Sequence, residues 1–357
     1  MARQENPELA AVLEKFICVR IVHGWGLDLS LFQFDTDMTL AVFFMNADRT
    51  IYGRYGTKFA RDTSLEGLLY TAGAALEVHK GFPQNKPQVA AKTGPAPRWK
   101  TPEIMPTLKT RHEAGDVSSY GCIHCHTVHE GELTSRWLSG ESIPDRLIWK
   151  YPLPNVVGLG LEAKDGRTVR TVGNNSAAQA AGIKPGDRVL NVAGQQILSV
   201  ADVSWALQQA PDDGMLELEI ERGAARERVT LALKNGWRRR ISVARNNTTS
   251  MLQKTVSGFF CNVLSSGDKQ KLGLPETALG LRVTYLPAAK EKDPNMNAVN
   301  AGIKVNDLIV EVDGQRVAMN ADDWLAYLLQ KKKPGQTLEL TILRAGAEQK
   351  LNIPLPK

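Results

Sequence analysis

The densest chemistry in the chain is the run Gly121-Cys122-Ile123-His124-Cys125-His126-Thr127-Val128-His129-Glu130. Four of the six histidines fall between His112 and His129. The spacing fits covalent haem c, with Cys122 and Cys125 as thioethers, His126 as iron ligand, and His112, His129 or Met105 opposite. The same two cysteines also fit a redox dithiol, because flanking imidazoles favour the thiolate. A third arrangement places Cys122, Cys125 and two of His112, His124, His126 and His129 around zinc, although the second half of a zinc-finger spacing is missing. A plain disulfide closing a small loop is the structural alternative. Haem and stable disulfides both belong outside the cytoplasm.

Composition sets the frame for that site. The chain has 357 residues, 43% hydrophobic and 23% charged, which suits two to three globular domains and excludes disordered, collagen-like and coiled-coil chains. Its formal net charge of +6 is modest for the length and does not imply a nucleic-acid partner. Cys18 and Cys261 stand alone, and four cysteines are too few for a disulfide scaffold. The longest strongly apolar run, Leu40 to Met45, is far short of a membrane span. Met1 to Pro7 carries no signal-peptide core. The expectation is a periplasmic or other extracytoplasmic protein whose start has been trimmed, and a cytoplasmic one if the start is authentic.

An internal repeat organises the second half. Ala181-Gly182-Ile183-Lys184-Pro185-Gly186-Asp187 is echoed by Ala301-Gly302-Ile303-Lys304-Val305-Asn306-Asp307, an offset of 120. The same offset relates Leu159-Gly160-Leu161 to Leu279-Gly280-Leu281. Each copy reads as a short helix capped by Gly182 or Gly302, a tight turn, and an alternating strand (Val189–Val192; Leu308–Val312). A helix follows, at 200–209 and 321–330. A strand pair closes each copy: 216–221 with 228–233, and 338–343 with 349–353.

These motifs resemble the PDZ domain in its bacterial form, near residues 153–235 and 276–355. The resemblance implies binding of an extended peptide or C-terminal tail as an added strand. It places the carboxylate-holding N–H groups at Gly158-Leu159-Gly160-Leu161 and at Ala278-Leu279-Gly280-Leu281. The alternative is that these glycines only permit a tight turn. The insertion Ala288 to Pro294 is expected beside the second groove. Many bacterial PDZ proteins are serine proteases, but no Gly-x-Ser-x-Gly elbow lies upstream, so a serine protease is not expected.

In the first eighty residues, Phe16-Ile17-Cys18-Val19-Arg20-Ile21-Val22 reads as a strand with Cys18 as a small buried residue. Thr39–Met45 reads as a second strand, apolar and buried on both faces. Thr50–Gly56 pairs back on it, and Ser64 caps a helix to about Lys80. The hairpin phrase Phe43 to Gly56 is similar to bacterial proteins, many from planctomycetes, that join a thioredoxin-like region to two PDZ domains. That resemblance implies a partial thioredoxin-like scaffold without its dithiol. Residues 82–110 hold six prolines and read as a linker that wraps or spans. Leu133 to Leu138 reads as a short helix. Gly236-Trp237-Arg238-Arg239-Arg240 is either solvated charge or an internal ion-pair partner.

The fold class expected is α+β multidomain. The parts are a thioredoxin-like region (1–81), a linker with the Cys-x-x-Cys-His segment (82–150), a first PDZ domain (151–235), a bridging segment (236–275) and a second PDZ domain (276–357). The expected function is redox-linked peptide binding with haem c, or else thiol–disulfide exchange, or else a PDZ adaptor with structural zinc or disulfide. Its partners would be a peptide tail and a redox protein, with no nucleic acid and no transmembrane segment.

Overall fold

A computed structural model describes residues 6–38, 40–57, 63–113, 123, 125–239, 246–289 and 295–357. The elements that position the site are, in chain order, β1 (Val42–Met45), β2 (Ile51–Tyr55), α1 (Leu65–Lys80), α2 (Cys125–Leu138), β3 (Leu159–Leu161), β4 (Val169–Val172), β5 (Arg188–Val192), β6 (Gln195–Gln196), α3 (Val200–Gln209), β7 (Gly214–Arg222) and β8 (Ala225–Leu233). They continue with α4 (Asn246–Ser257), β9 (Phe260–Val263), β10 (Leu281–Tyr285), β11 (Leu308–Val312), α5 (Ala321–Gln330), β12 (Thr337–Arg344) and β13 (Ala347–Pro354). The chain divides into two compact units. One comprises Met1–Ile104, Asp116–Cys125 and Trp149–Ile241; the other comprises Met105–Gly115, His126–Ile148 and Ser242–Lys357. No described helix is long and apolar enough to cross a membrane.

In the first unit, β1 and β2 form an antiparallel hairpin. Ser64 caps α1, its Oγ accepting from the Gly67 N–H, as the sequence predicts. Phe44, Tyr52, Ala72, Ala75 and Val78 pack between hairpin and helix. The first PDZ-like copy has a β3–β4 hairpin and a four-stranded sheet ordered β6-β5-β7-β8. Its core gathers Leu159, Leu161, Val189, Val203, Leu207, Leu218 and Ile220. The helix expected at 200–209 and the helix expected at 321–330 have those bounds.

Several expectations for the N-terminal half change. Phe16 to Val22 forms no strand, and Ile17 is 96% exposed. Its apolar residues have strand propensity, but among the described residues no strand pairs with them. Cys18 is accordingly exposed rather than buried. β1 is shorter than Thr39–Met45 and only Phe44 on it is buried. Among the described residues the hairpin is a two-stranded sheet, so a thioredoxin-like sheet is not formed there. Residues 82–110 pack: Val89, Lys92, Met105 and Leu108 are all buried. The helix expected from Leu133 instead runs from Cys125.

In the second unit a five-stranded sheet has the order β13-β12-β11-β10-β9. β9 lies within the segment expected to bridge the two copies, and it pairs antiparallel with β10. That segment therefore belongs to the second copy from α4 onward. Residues 290–294 of the expected insertion lie outside the described residues.

Candidate functional site

The two copies can be superposed by register. Val169 donates its N–H to Asp187 and accepts from Gly186, at 2.8 Å each. Val283 does the same with Asp307, at 2.9 Å, and Asn306, at 2.8 Å. Val283 is therefore the counterpart of Val169. Across the hairpin, Val169 faces Leu161 and Val283 faces Cys261. Counting back three residues from each places Gly158 opposite Gly258.

Backbone geometry agrees. Gly158 has φ 93° and Gly258 has φ 80°, both in the region that favours glycine. A Cβ on Gly158 would lie 3.5 Å from the Ala178 Cβ, and one on Gly258 would lie 3.2 Å from the Ala298 Cβ. Ala178 and Ala298 are themselves one repeat apart.

Gly258-Phe259-Phe260-Cys261 thus occupies the place of Gly158-Leu159-Gly160-Leu161. The tetrad expected there, Ala278-Leu279-Gly280-Leu281, lies one strand further on. Two of its N–H groups are already spent: Ala278 donates to Pro275 at 3.0 Å and Leu279 to Arg316 at 2.7 Å. The Gly280 carbonyl accepts from Leu264 at 2.9 Å. Ala278 to Leu281 cannot form a nest of unpaired N–H donors, and this corrects the expected second loop. The offset is 100 residues at the loop but 120 beyond it. The longer connections 264–280 and 286–296 absorb the difference.

In the first copy, a 3₁₀ turn at Pro154–Val157 ends at Gly158, which opens β3. Glu162 donates its N–H to Thr168 at 2.8 Å, so alternation turns the N–H groups of Leu159 and Leu161 away from β4. At the far end of that edge, Ser64 Oγ lies 3.4 Å from the Ala163 carbonyl. A Cβ on Gly67 would meet the same oxygen at 2.2 Å. The start of α1 therefore abuts the end of the edge.

Helix α3 is fixed from outside the PDZ-like copy. Its cap, Ser199, donates Oγ–H to the Arg54 carbonyl of β2. Asp202 accepts from the Arg54 N–H at 3.1 Å, the Leu198 N–H at 3.0 Å and Lys92 Nζ at 2.8 Å. Burial pushes the Lys92 ammonium down and the Asp202 charge opposes it. The Arg54 guanidinium lies 4.2 Å over the Trp205 ring and donates to the carbonyls of Gln33 and Lys92. Burial pushes Arg54 down to about 10, so it stays charged at neutral pH. The sequence gives no local sign of this network, because its partners are far apart along the chain.

A second network is repeated in both copies. Arg222 grips Asp187 at 2.8 and 2.7 Å and the Gly182 carbonyl at 2.9 Å. Arg344 grips Asp307 at 2.7 and 2.6 Å and the Gly302 carbonyl at 2.7 Å. Bidentate Arg–carboxylate geometry makes these strong, directed bonds. Arg238, in the basic cluster, is an internal partner: it is buried and reaches Asp212 at 3.1 Å. Arg240 lies outside the described residues.

Cys122 and His124 also lie outside the described residues. Ile123 between them is buried beside Gly24. Cys125 is exposed at the start of α2, and His126 is half-buried on the next position. His112 is exposed. His129 is buried, and its Nε2 donates to the Leu147 carbonyl at 2.7 Å. That bond takes up one of its two ring nitrogens. Met105, expected as an alternative iron ligand, is buried too. Cys125 and His126 therefore stand side by side at the start of α2, and His129 lies one turn further along the same helix. No group of three or more metal-ligating side chains occurs among the described residues.

Comparison with known proteins covers the repeat. PDZ domain profiles match residues 168–222 and residues 287–355. Neither match reaches the first 167 residues, so the similarity to thioredoxin-like planctomycete proteins gains no support. No curated protein matches the chain. Solved structures that resemble it include HtrA-type protease AlgW with decapeptide, at 16% identity and TM-score 0.24 over 40% of this chain and 49% of that one. The same protease with tripeptide aligns at 15% identity and TM-score 0.23 over 40% of this chain and 53% of that one. The chain spans about half the length of those proteins. From the register of its strands and from both profile matches, it carries two PDZ domains.

Proposed function

We propose that this chain is a peptide-binding protein that takes an extended C-terminal tail at the first PDZ domain. The observation carrying this reading is the positive-φ Gly158 at the mouth of β3, with the N–H groups of Leu159 and Leu161 turned outward. Such donors hold a terminal carboxylate and pair with an added strand. The buried Lys92–Asp202 pair and Ser199 fix α3 to Lys92 and to β2, so that helix is held before a partner arrives. Abutment of α1 at Ala163 limits the edge to a short tail. The test is titration of the full chain with peptides selected from a random C-terminal library. Free-acid peptides should bind and their C-terminal amides should not; equal binding of both would overturn the reading.

A second function is favoured by the exposure of Cys125 where Cys261 is buried. With Cys122, it would form a thiol pair that closes to a disulfide, passing two electrons and two protons to a partner's disulfide. His126 beside it would serve equally if the pair carries haem, which when bound supplies one-electron chemistry. An absorption spectrum separates the two. A haem band assigns the haem, and a colourless protein whose disulfide reductase activity disappears in Cys122→Ser assigns the dithiol.

A further inference from the structure

The corresponding edge of the second PDZ domain is already taken. Helix α4 runs directly into Gly258, and Gln253 on it is fully buried. Its Oε1 accepts from the Cys261 N–H at 3.1 Å and from Cys261 Sγ at 3.5 Å. Leu264 bonds back to Gly280, so alternation along β9 points the Cys261 N–H away from β10. This is the donor that an added chain would use, and it corresponds to the Leu161 N–H of the first domain. Because Cys261 N–H can only donate, the oxygen of the Gln253 amide must be the atom that faces it.

Among the described residues nothing equivalent stands in the first domain. The residue five before Gly158 is Leu153, and a single 3₁₀ turn replaces α4. Among the described residues no side chain is bonded to the Leu161 N–H. The Gln253 contact is also imperfect. Its Nε2 is buried without an acceptor among the described residues, as is the Trp324 Nε1 on α5. A buried donor left unsatisfied costs free energy that a well-matched interior contact would not. Phe259, following Gly258, stacks on Trp324 with ring centres 6.1 Å apart.

We propose that Gln253 is a built-in occupant of the second PDZ edge, so that a peptide tail is accepted by the first domain alone. The proposal rests on the peptide-binding reading for its consequence, though not for the contact itself. Two measurements on the full chain separate them. In the first, amide hydrogen exchange is followed by NMR in the wild type, in Gln253→Met, which keeps the volume but loses the acceptor, and in Gln253→Glu, which keeps an acceptor. The Cys261 N–H should exchange about tenfold faster in Gln253→Met, as for loss of one hydrogen bond. It should be slow again in Gln253→Glu, with Leu161 unchanged throughout. Equal rates in the wild type and Gln253→Met would overturn the proposal.

In the second, a library-selected C-terminal peptide is titrated into the wild type and into Gln253→Ala, which removes the side chain's bulk as well as its acceptor. One site in the wild type, with amide shifts at 158–161, and a second site at 258–261 in Gln253→Ala are the expected results. A wild-type site at 258–261 would overturn the proposal. If no peptide binds but the exchange result holds, the internal occupant stands and the peptide-binding reading falls.

Discussion

Lys92 Nζ and Asp202 Oδ2 stand 2.8 Å apart with each side chain only 1% exposed, joining residues 110 positions apart in sequence. Removing one member leaves a buried charge without its counter-ion, which costs about 3–5 kcal/mol, whereas replacing both with apolar residues of similar volume is near neutral. Asp202→Ala should therefore lower stability in urea unfolding by about 3–5 kcal/mol. Lys92→Met with Asp202→Leu should recover only part of that loss, because the Arg54 and Leu198 N–H groups lose their acceptor. A single variant as stable as the wild type would show that the pair does not hold α3.

The superposition of the two loops predicts which glycines matter. Gly158→Ala and Gly258→Ala both force a side chain into positive φ, and the new Cβ would meet Ser176 Oγ at 2.1 Å or the Asn295 carbonyl at 2.9 Å. Each should cost roughly 1–3 kcal/mol. At Gly280 the nearest atom is the flexible Leu264 Cδ1 at 3.0 Å, with no positive φ. Gly280→Ala should be the mildest of the three by thermal melting. A Gly280 variant worse than the Gly258 variant would refute the assigned register.

Acid should weaken the first PDZ domain through Asp187. Burial pushes its carboxyl up, but bonds from Arg222 and the Lys184 N–H more than offset this, so the net direction is down from 3.8. A carboxyl held lower in the folded state contributes stability above its unfolded pKa and loses it as pH falls through the folded value. Melting temperature should therefore drop below pH 4 in the wild type. In Asp187→Asn it should start lower and fall less steeply over that interval. Parallel curves would remove Asp187 from the acid response.

Thiol accessibility separates two isolated cysteines. Cys18 is exposed, whereas Cys261 is buried and its thiol is pushed far up by desolvation. Iodoacetamide followed by peptide mapping should modify Cys18 in the native protein and Cys261 only after unfolding. Native labelling of Cys261 at the rate of Cys18 would contradict the packing of β9 behind α4.

What could be read from the sequence follows the range of the interactions. Pro185-Gly186-Asp187, the cap at Ser64 and the periods of α3 and α5 are local, and these elements form where the residues predict. Ile17 and Val19 carry the same strand propensity as Val42, but a strand needs a neighbour, which propensity does not report. The second glycine loop was hidden because Leu279-Gly280-Leu281 repeats the letters of Leu159-Gly160-Leu161 while serving as the next strand. Ser257-Gly258-Phe259-Phe260, a glycine between a helix and an apolar pair, was the available signal. Residues 82–110 look like a spacer because the Asp202 that buries Lys92 lies in another part of the chain. The Cys-x-x-Cys-His spacing was legible at once, but the seat of His129 under Leu147 depends on a fold that the spacing does not encode.

Capture of a terminal carboxylate at Gly158 to Leu161 of the first PDZ domain is what distinguishes a tail from an internal peptide. The most direct measurement is the amide NMR response of the full chain to a library-selected peptide, compared with its C-terminal amide. Shifts should concentrate at Leu159, Gly160 and Leu161 with the free acid and be absent with the amide. Shifts that ignore the carboxylate, or that fall away from β3, would contradict it.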